Sequence, residues 1–297
     1  MKRIVFFVEP EWAYGVIHYD LIKWLQPYNI RASVMPWTRQ YTVDEVQELS
    51  QHIDYFVSTP SGLEALCIYH YHIHPEQIIV VCHSREDIEY LLKLPETVSN
   101  RIAKLGAVSN WVRDEMIRMG IQKPIQVCTL GVDYEQFYSP IAKELEIVGY
   151  AGAYKVLHND HIKRAHLVDK AVGRSGLGLK IAIQYHNSFM TMPGFYPQVG
   201  AIVVSSTHEG AGLPALEAAA AGRLVISTAV GHWDRIGLRG AVEMPIEEEA
   251  FVDSCAETLT YYKNNPKEYQ ARCLTIQEHA REYDWSNHIE SWVELIK

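Results

Sequence analysis

Short apolar runs rich in β-branched and aromatic residues alternate with stretches where apolar positions recur every three or four residues. The first series predicts strands over 4–8, 31–35, 53–58, 77–82, 105–109 and 125–129. Amphipathic stretches over 16–25, 43–52, 63–70 and 111–119 separate them and predict helices. A second series predicts strands over 147–151, 179–184, 201–206, 224–228 and 241–244. The tail reads as helical: 248–265, then a helix opened by Pro266 and running to 283, then 285–297. Strands of near-continuous apolar character separated by helices imply parallel sheets covered on both faces. Two such series predict an α/β protein of two doubly wound, Rossmann-like domains. The loose polar stretch 131–145, with Gly131 and Pro140, marks the break between them. The expected domains are 1–140 and 141–282, with 283–297 as a closing helix.

Composition narrows the function classes. The 297 residues are 48% hydrophobic and 21% charged, enough to bury a substantial core. The formal net charge is −9. Up to residue 140 there are 12 Lys/Arg against 17 Asp/Glu, and beyond it 15 against 19, leaving −5 and −4. Neither half is a basic module, so no nucleic-acid partner is expected and membrane-surface binding is disfavoured. The opening Met1-Lys2-Arg3 and the apolar run 4–8 are too short for a signal peptide and read as a first strand. No apolar run approaches the ~20 residues of a membrane span. Cys67, Cys82, Cys128, Cys255 and Cys273 form no CxxC pair and no metal-ligand spacing. They read as reduced core thiols of a cytoplasmic protein.

The chemistry concentrates in residues 201–236. A buried strand runs into the tight loop His208-Glu209-Gly210-Ala211-Gly212, and Leu213-Pro214-Ala215-Leu216-Glu217 begins a helix. Pro214 suits a first helical turn, the alanines from 218 to 221 favour helix, and Gly222 is a natural stop. A helix N-terminus at a strand-end crevice favours an anion such as a diphosphate. Two carboxylates beside a diphosphate need other partners, and ionised carboxylates only accept hydrogen bonds. The partners that fit Glu209 and Glu217 are hydroxyls, which a nucleotide sugar offers on both ribose and sugar. Taken alone, the pair also fits a helix-start Glu helped by the dipole and a solvated loop Glu. The ordered glycines, proline and alanine run weigh against that reading.

The stretch EGAGLPALEAAAAGRLVISTAVGH resembles the signature of retaining glycosyltransferases of the GT-B fold, family 4. That signature runs Glu-Gly-aromatic-Gly-Leu-Pro-x-Leu-Glu-Ala, then a small-residue helix, Gly, and a strand ending at a Gly-Gly loop. Ala211 stands where an aromatic is common, and His232 where the second Gly often sits. Three further elements resemble the family: Thr129-Leu130-Gly131-Val132-Asp133 with Phe137 and Pro140, then Val148-Gly149-Tyr150-Ala151-Gly152, and Tyr283-Asp284-Trp285 before the last helix. Together they touch most of residues 105–297, while 1–104 match only in pattern.

The resemblance implies an acceptor-side domain over 1–140, a nucleotide-sugar-binding domain over 141–282 and a helix over 283–297 that crosses back. Chemistry is expected in a cleft between the domains. The implied reaction moves a sugar from a UDP- or GDP-sugar, such as glucose or mannose, to a hydroxyl of a glycan or other acceptor, with retention of configuration. Glu209 is expected to contact the transferred sugar and Glu217 the ribose, with Gly210, Ala211, Gly212 and Leu213 lining the donor. Neither cofactor nor metal is expected, because such enzymes meet the leaving diphosphate with side-chain charge. The family's Arg after the glycine turn is replaced by Ala153, which leaves Lys155, Lys163 and Arg164 as candidates, the last two favoured. A turn over 10–15 at the first strand end is expected to offer the Gly15 backbone to the diphosphate. His83, after the fourth strand, resembles a histidine placed near the sugar.

Other readings stay open at this level. Lys163 and Arg164 also fit solvated helix-face charges, and His83 a hydrogen-bonded structural residue. His70 and His74, in the run Tyr69-His70-Tyr71-His72-Ile73-His74, could share one helix face as metal ligands do, although no third ligand lies nearby. No Gly-x-Ser-x-Gly elbow or Walker lysine loop occurs, and no Gly-x-Gly-x-x-Gly follows the first strand. The rival functions are an epimerase that converts the donor without an acceptor, a phosphorylase, which needs a pyridoxal-binding lysine, and a non-catalytic nucleotide-sugar or glycan-binding protein.

Overall fold

The structure, a computed structural model, describes residues 1–9, 11–154, 160–183, 186–231 and 238–297. The chain divides into two compact units, Met1–Gly131 with Ser286–Lys297, and Val132–Trp285. Unit 1 is built on six strands: β1 (Lys2–Val8), β2 (Ile30–Pro36), β3 (Tyr55–Ser58), β4 (Ile78–Cys82), β5 (Lys104–Ala107) and β6 (Ile125–Val127). They lie in the order β2-β1-β3-β4-β5-β6, each pair parallel. Phe6 of β1 sits opposite Val34 on one side and Val57 on the other. All of β4 is buried, as a strand covered on both faces must be.

Unit 2 carries β7 (Ile147–Gly152), β8 (Gly178–Ile183), β9 (Ala201–Val204), β10 (Leu224–Thr228) and β11 (Val242–Met244), in the parallel order β11-β10-β9-β7-β8. Each predicted strand has its counterpart, and both units are doubly wound α/β. In each sheet the order reverses between its first and third strands, at β1/β3 and at β7/β9. Loops leaving such neighbouring strand ends run in opposite directions and open a crevice, the usual ligand position in this architecture.

Two local expectations are corrected. The first concerns Gly15. A helix occupies Trp12–Leu25, and the Gly15 N–H donates to the Glu11 carbonyl at 3.1 Å inside its first turn. There is therefore no turn at Gly15, and its amide is already bonded rather than offered to a phosphate. The second concerns residues 63–70. A short helix, Pro60–Glu64, continues as a π-helical turn, Ala65–Tyr69, in which the His70 N–H donates to the Ala65 carbonyl at 3.1 Å. His70 ends that turn and His74 is extended (φ −65°, ψ 128°), so the two share no helix face.

The tail forms helices at Glu248–Asn264, Pro266–Ala280 and Trp285–Ile296. Trp285 and Trp292 are fully buried. Where the chain enters and leaves unit 2, its two strands of backbone run side by side. The Val132 N–H donates to the Tyr283 carbonyl at 2.9 Å and the Trp285 N–H to the Val132 carbonyl at 3.2 Å. The last helix then packs in unit 1, where Trp292 Nε1 donates to the Thr129 carbonyl at 3.2 Å. All five cysteines are free, and burial raises the thiols of Cys255 and Cys273 to about 12 and about 11. Among the described residues, no helix is long and apolar enough to cross a membrane.

Because Trp292 anchors the C-terminal helix inside unit 1, Trp292→Ala is expected to remove about 3–5 kcal/mol of unfolding free energy. Urea denaturation followed by circular dichroism measures this, and an unchanged midpoint would show that the helix is not part of the unit 1 core.

Candidate active site

The switch point of unit 2 is where its polar side chains converge. After β7 the chain returns through a short helix, Asp160–Lys163, and after β9 it enters the loop that holds Glu209. Hydrogen bonds through backbone and side chains join these two segments. The Thr207 N–H donates to the Ile162 carbonyl at 2.9 Å, Ser205 Oγ to the Lys163 carbonyl at 2.6 Å, and Arg164 Nε to the Ser205 carbonyl at 2.7 Å. Thr228 Oγ1, at the end of β10, donates to the Ser206 carbonyl at 2.6 Å and ties in the next strand.

This lacing brings Lys163 onto Glu209. Lys163 Nζ lies 2.5 Å from Glu209 Oε1, and Ser206 Oγ donates to the same oxygen at 2.6 Å. Both partners are mostly buried, with 28% and 16% of their side chains exposed. Oε2 of Glu209 carries no hydrogen bond among the described residues. The ammonium has three donors, of which Glu209 takes one.

Beyond the loop, the helix Leu213–Ala220 begins as expected, with Gly212 as its N-cap and Pro214 in its first turn. It ends in a Schellman arrangement. The Gly222 N–H donates to the Ala219 carbonyl and the Arg223 N–H to the Ala218 carbonyl, each at 2.9 Å, with Gly222 at φ 70°. The loop after β10 approaches the glycine turn closely. A Cβ on Gly231 would lie 2.5 Å from the Ala211 carbonyl oxygen, so only glycine fits there. Glu217 faces inward on the helix, 5% exposed, and accepts a hydrogen bond from Tyr196 Oη at 2.5 Å.

Arg164 is a correction. It caps the helix Ala165–Ser175 in a left-handed conformation (φ 48°) and is 4% exposed. Its Nε holds the Ser205 carbonyl, its Nη1 holds the Ile246 carbonyl, and its guanidinium lies 5.9 Å from the centre of the Phe251 ring. A side chain buried and bonded in this way braces the two loops and does not present its charge at the crevice. Its Nη2 is buried without a hydrogen-bond partner among the described residues. Lys155 lies outside the described residues, as does His232.

The unit 1 candidates fare differently. Gly15 is inside a helix, as described above. His83 follows β4, where its N–H donates to Asp87 Oδ2 at 2.7 Å. Its ring meets Tyr14 edge-on at 5.0 Å and lies 6.4 Å from the ring of His18. His18 is 2% exposed, and its Nδ1–H donates to the Tyr14 carbonyl at 2.6 Å. Burial lowers His18 to about 4, against the opposing pull of that bond, so the ring is neutral at pH 7. Burial lowers His83 as well, helped by His18, while burial raises Asp87 to about 6.

Residues 141–261, which contain the whole laced site of unit 2, match the family model of glycosyl transferases group 1. Solved structures share the architecture along nearly the full chain. Sucrose-phosphate synthase from Thermosynechococcus elongatus superposes with a TM-score of 0.66 at 12% identity, covering 99% of this chain and 98% of that one. Anabaena HepE in complex with UDP-glucose gives 0.70 at 13% identity, with 99% of both chains covered. The lipopolysaccharide outer core galactosyltransferase WaaB gives 0.59 at 14%, again covering 99% of both. The chain has the GT-B fold, and its residues 141–261 carry a glycosyl transferases group 1 domain. No curated protein matches the sequence.

Within this domain, unit 2 brings together Lys163, Glu209, Gly210, Ala211, Gly212, Leu213 and Glu217. Three residues of the sites went unread in the sequence. Ser206 was visible only as the end of a strand, and its hydroxyl reaches Glu209 because the loop folds back. Tyr196 lies 21 positions before Glu217 in a Phe-Tyr-Pro segment that reads as turn filler. His18 sits on an apolar helix face where a histidine reads as core.

The buried neutral His18 makes stability depend on pH. Above pH 6.5 neither state of the ring is charged, and full stability is present. Between pH 6.5 and about 4 the unfolded chain binds a proton that folded His18 refuses, so stability falls as pH drops. The raised Asp87 acts in the opposite sense but is common to both proteins in a comparison of wild type with His18→Phe. The loss between pH 7 and pH 5 should therefore be smaller in H18F by roughly 2 kcal/mol. Denaturant melts at the two pH values measure it, and equal losses would refute a neutral buried ring.

Proposed function

We propose that the protein transfers a sugar from a nucleoside diphosphate sugar to a hydroxyl of a glycan or other acceptor, with retention of anomeric configuration and without a metal. The observation that carries the reading is the Lys163–Glu209 contact at 2.5 Å across the β7/β9 switch point, beside the helix that holds Glu217. A cation and a carboxylate with an unoccupied oxygen, side by side, fit the two ends of one donor. The ammonium meets the diphosphate with its remaining donors, and Glu209 Oε2 accepts from sugar hydroxyls. Glu217 accepts from the ribose hydroxyls, and the N-terminus of Leu213–Ala220 faces the phosphates with its free N–H groups. HepE in complex with UDP-glucose, and the pneumococcal O-GlcNAc transferase GtfA in complex with UDP and GlcNAc, support a nucleotide-sugar donor. UDP- and GDP-sugars of glucose or mannose are the donors to try first.

Charge development on the leaving diphosphate is where Lys163 contributes most. A preorganised cation in a partly dehydrated site stabilises that charge without reorganising solvent. His83, neutral and at a strand end of unit 1, is the remaining candidate near the sugar. Its imidazole can donate or accept a hydrogen bond without adding charge.

Calorimetric titration with UDP-, GDP- and ADP-sugars tests the assignment. One nucleotide should bind saturably and equally with and without EDTA. Lys163→Ala and Glu217→Ala should each weaken binding by about tenfold to a hundredfold, about 1.5–3 kcal/mol. Binding that either substitution leaves intact would remove that residue from the donor site, and no binding by wild type across the panel would overturn the function.

A further inference from the structure

Glu217 is buried in the small-residue helix, and a donor to its carboxylate comes from outside that helix. Tyr196 opens the short turn Tyr196–Gln198 that leads into β9. It is fully buried, and its hydroxyl donates to Glu217 Oε2 at 2.5 Å. The ring is fixed edge-on against Phe137 at 5.8 Å and Phe195 at 5.5 Å. The backbone is fixed too, since Arg223 Nε donates to the Tyr196 carbonyl at 2.9 Å. Arg223 is buried in turn, and its Nη1 and Nη2 hold the Pro140 carbonyl and Ser139 Oγ, both at 2.9 Å. A phenol held from both ends has one place to put its proton, and that place is Oε2.

We propose that Tyr196 is a positioning residue of the donor site: its hydrogen bond sets the orientation of the Glu217 carboxylate so that the group receives the ribose hydroxyls. This rests on the donor-site reading given above. Two physical arguments support it. A carboxylate reads a diol only in a fixed plane, and a glutamate side chain has three torsions to fix. A carboxylate taken out of water also requires a donor, or it becomes neutral and loses the acceptor strength that a ribose needs. Tyr196 meets both requirements, and it stays a donor at all working pH values. Burial, together with the neighbouring Glu217, pushes its hydroxyl well above its ordinary value.

The interaction predicts discrimination rather than mere affinity. Tyr196→Phe removes one oxygen and leaves the packing on Phe137 and Phe195 in place. The probes are UDP and GDP, each compared with its 2′,3′-dideoxy analogue, on full-length wild type and Y196F. Wild type should prefer the ribose form by at least tenfold for the nucleotide it binds. In Y196F that preference should fall below about threefold, with donor KM raised and kcat held within about threefold. A purely structural role would weaken both forms of the nucleotide equally and leave their ratio unchanged. The ratio is measured on one preparation, so a reduced folded fraction cancels from it. An undiminished ribose preference in Y196F would overturn the inference while leaving the donor site standing. Wild type that binds neither UDP nor GDP, or that binds them without any ribose preference, would overturn the role of Glu217 on which the inference rests.

Discussion

One oxygen atom organises the site of unit 2. Oε1 of Glu209 accepts from the Lys163 ammonium at 2.5 Å and from the Ser206 hydroxyl at 2.6 Å. A partly buried ion pair of this kind is favourable only where its geometry is held in advance, because both groups have given up water. The holding is done by backbone. Residues 162–164 and 205–207 are bonded to each other through carbonyls, an amide and the Ser205 hydroxyl, and β10 secures them through Thr228. Arg164 belongs to this brace. Its left-handed backbone is uncommon for a residue with a Cβ, and its guanidinium bonds to the 205 and 246 carbonyls stabilise it there.

The second carboxylate follows the same logic by other means. Glu217 lies on a helix with alanine at 215 and 218–220, small enough to let the helix settle against β9 and β10 and bury seven of its eight residues. The phenol of Tyr196, from the segment before β9, donates to the Glu217 carboxylate at 2.5 Å. The two acidic groups of one loop–helix unit thus meet different donors: Glu209 an ammonium and a serine hydroxyl, Glu217 a buried phenol. That difference fits a group serving the reacting sugar and a group serving the nucleotide.

How much of this was legible in the sequence depended on which force placed each residue. Buried parallel strands are apolar almost throughout, so β4 and β10 stand out as runs. The glycines and Pro214 around 209–222 announce a turn and a helix start because backbone geometry demands them there. Local signals failed where tertiary packing decided. Gly15 reads as a turn former, yet the chain around it closes into a helix that covers the β1–β2 sheet edge. The segment 63–70 carries a helical pattern, and most of it winds as a π-helical turn that no spacing rule announces. Arg164, next to Lys163, looks like a second surface cation. Its burial follows from the fold of residues 205 and 246, far away in sequence. Tyr196 has no motif at all, and its role depends on a hydroxyl meeting a carboxylate across the fold.

The central claim is that the crevice at the β7/β9 switch point of unit 2 holds the nucleotide. Hydrogen–deuterium exchange of the full-length protein, with and without a saturating nucleoside diphosphate, tests it most directly. The account predicts slowed exchange confined largely to peptides covering 162–167 and 205–217, where the free amides and the Lys163–Glu209 pair lie. Slowing restricted to unit 1 peptides, with 205–217 exchanging as in the free protein, would contradict it.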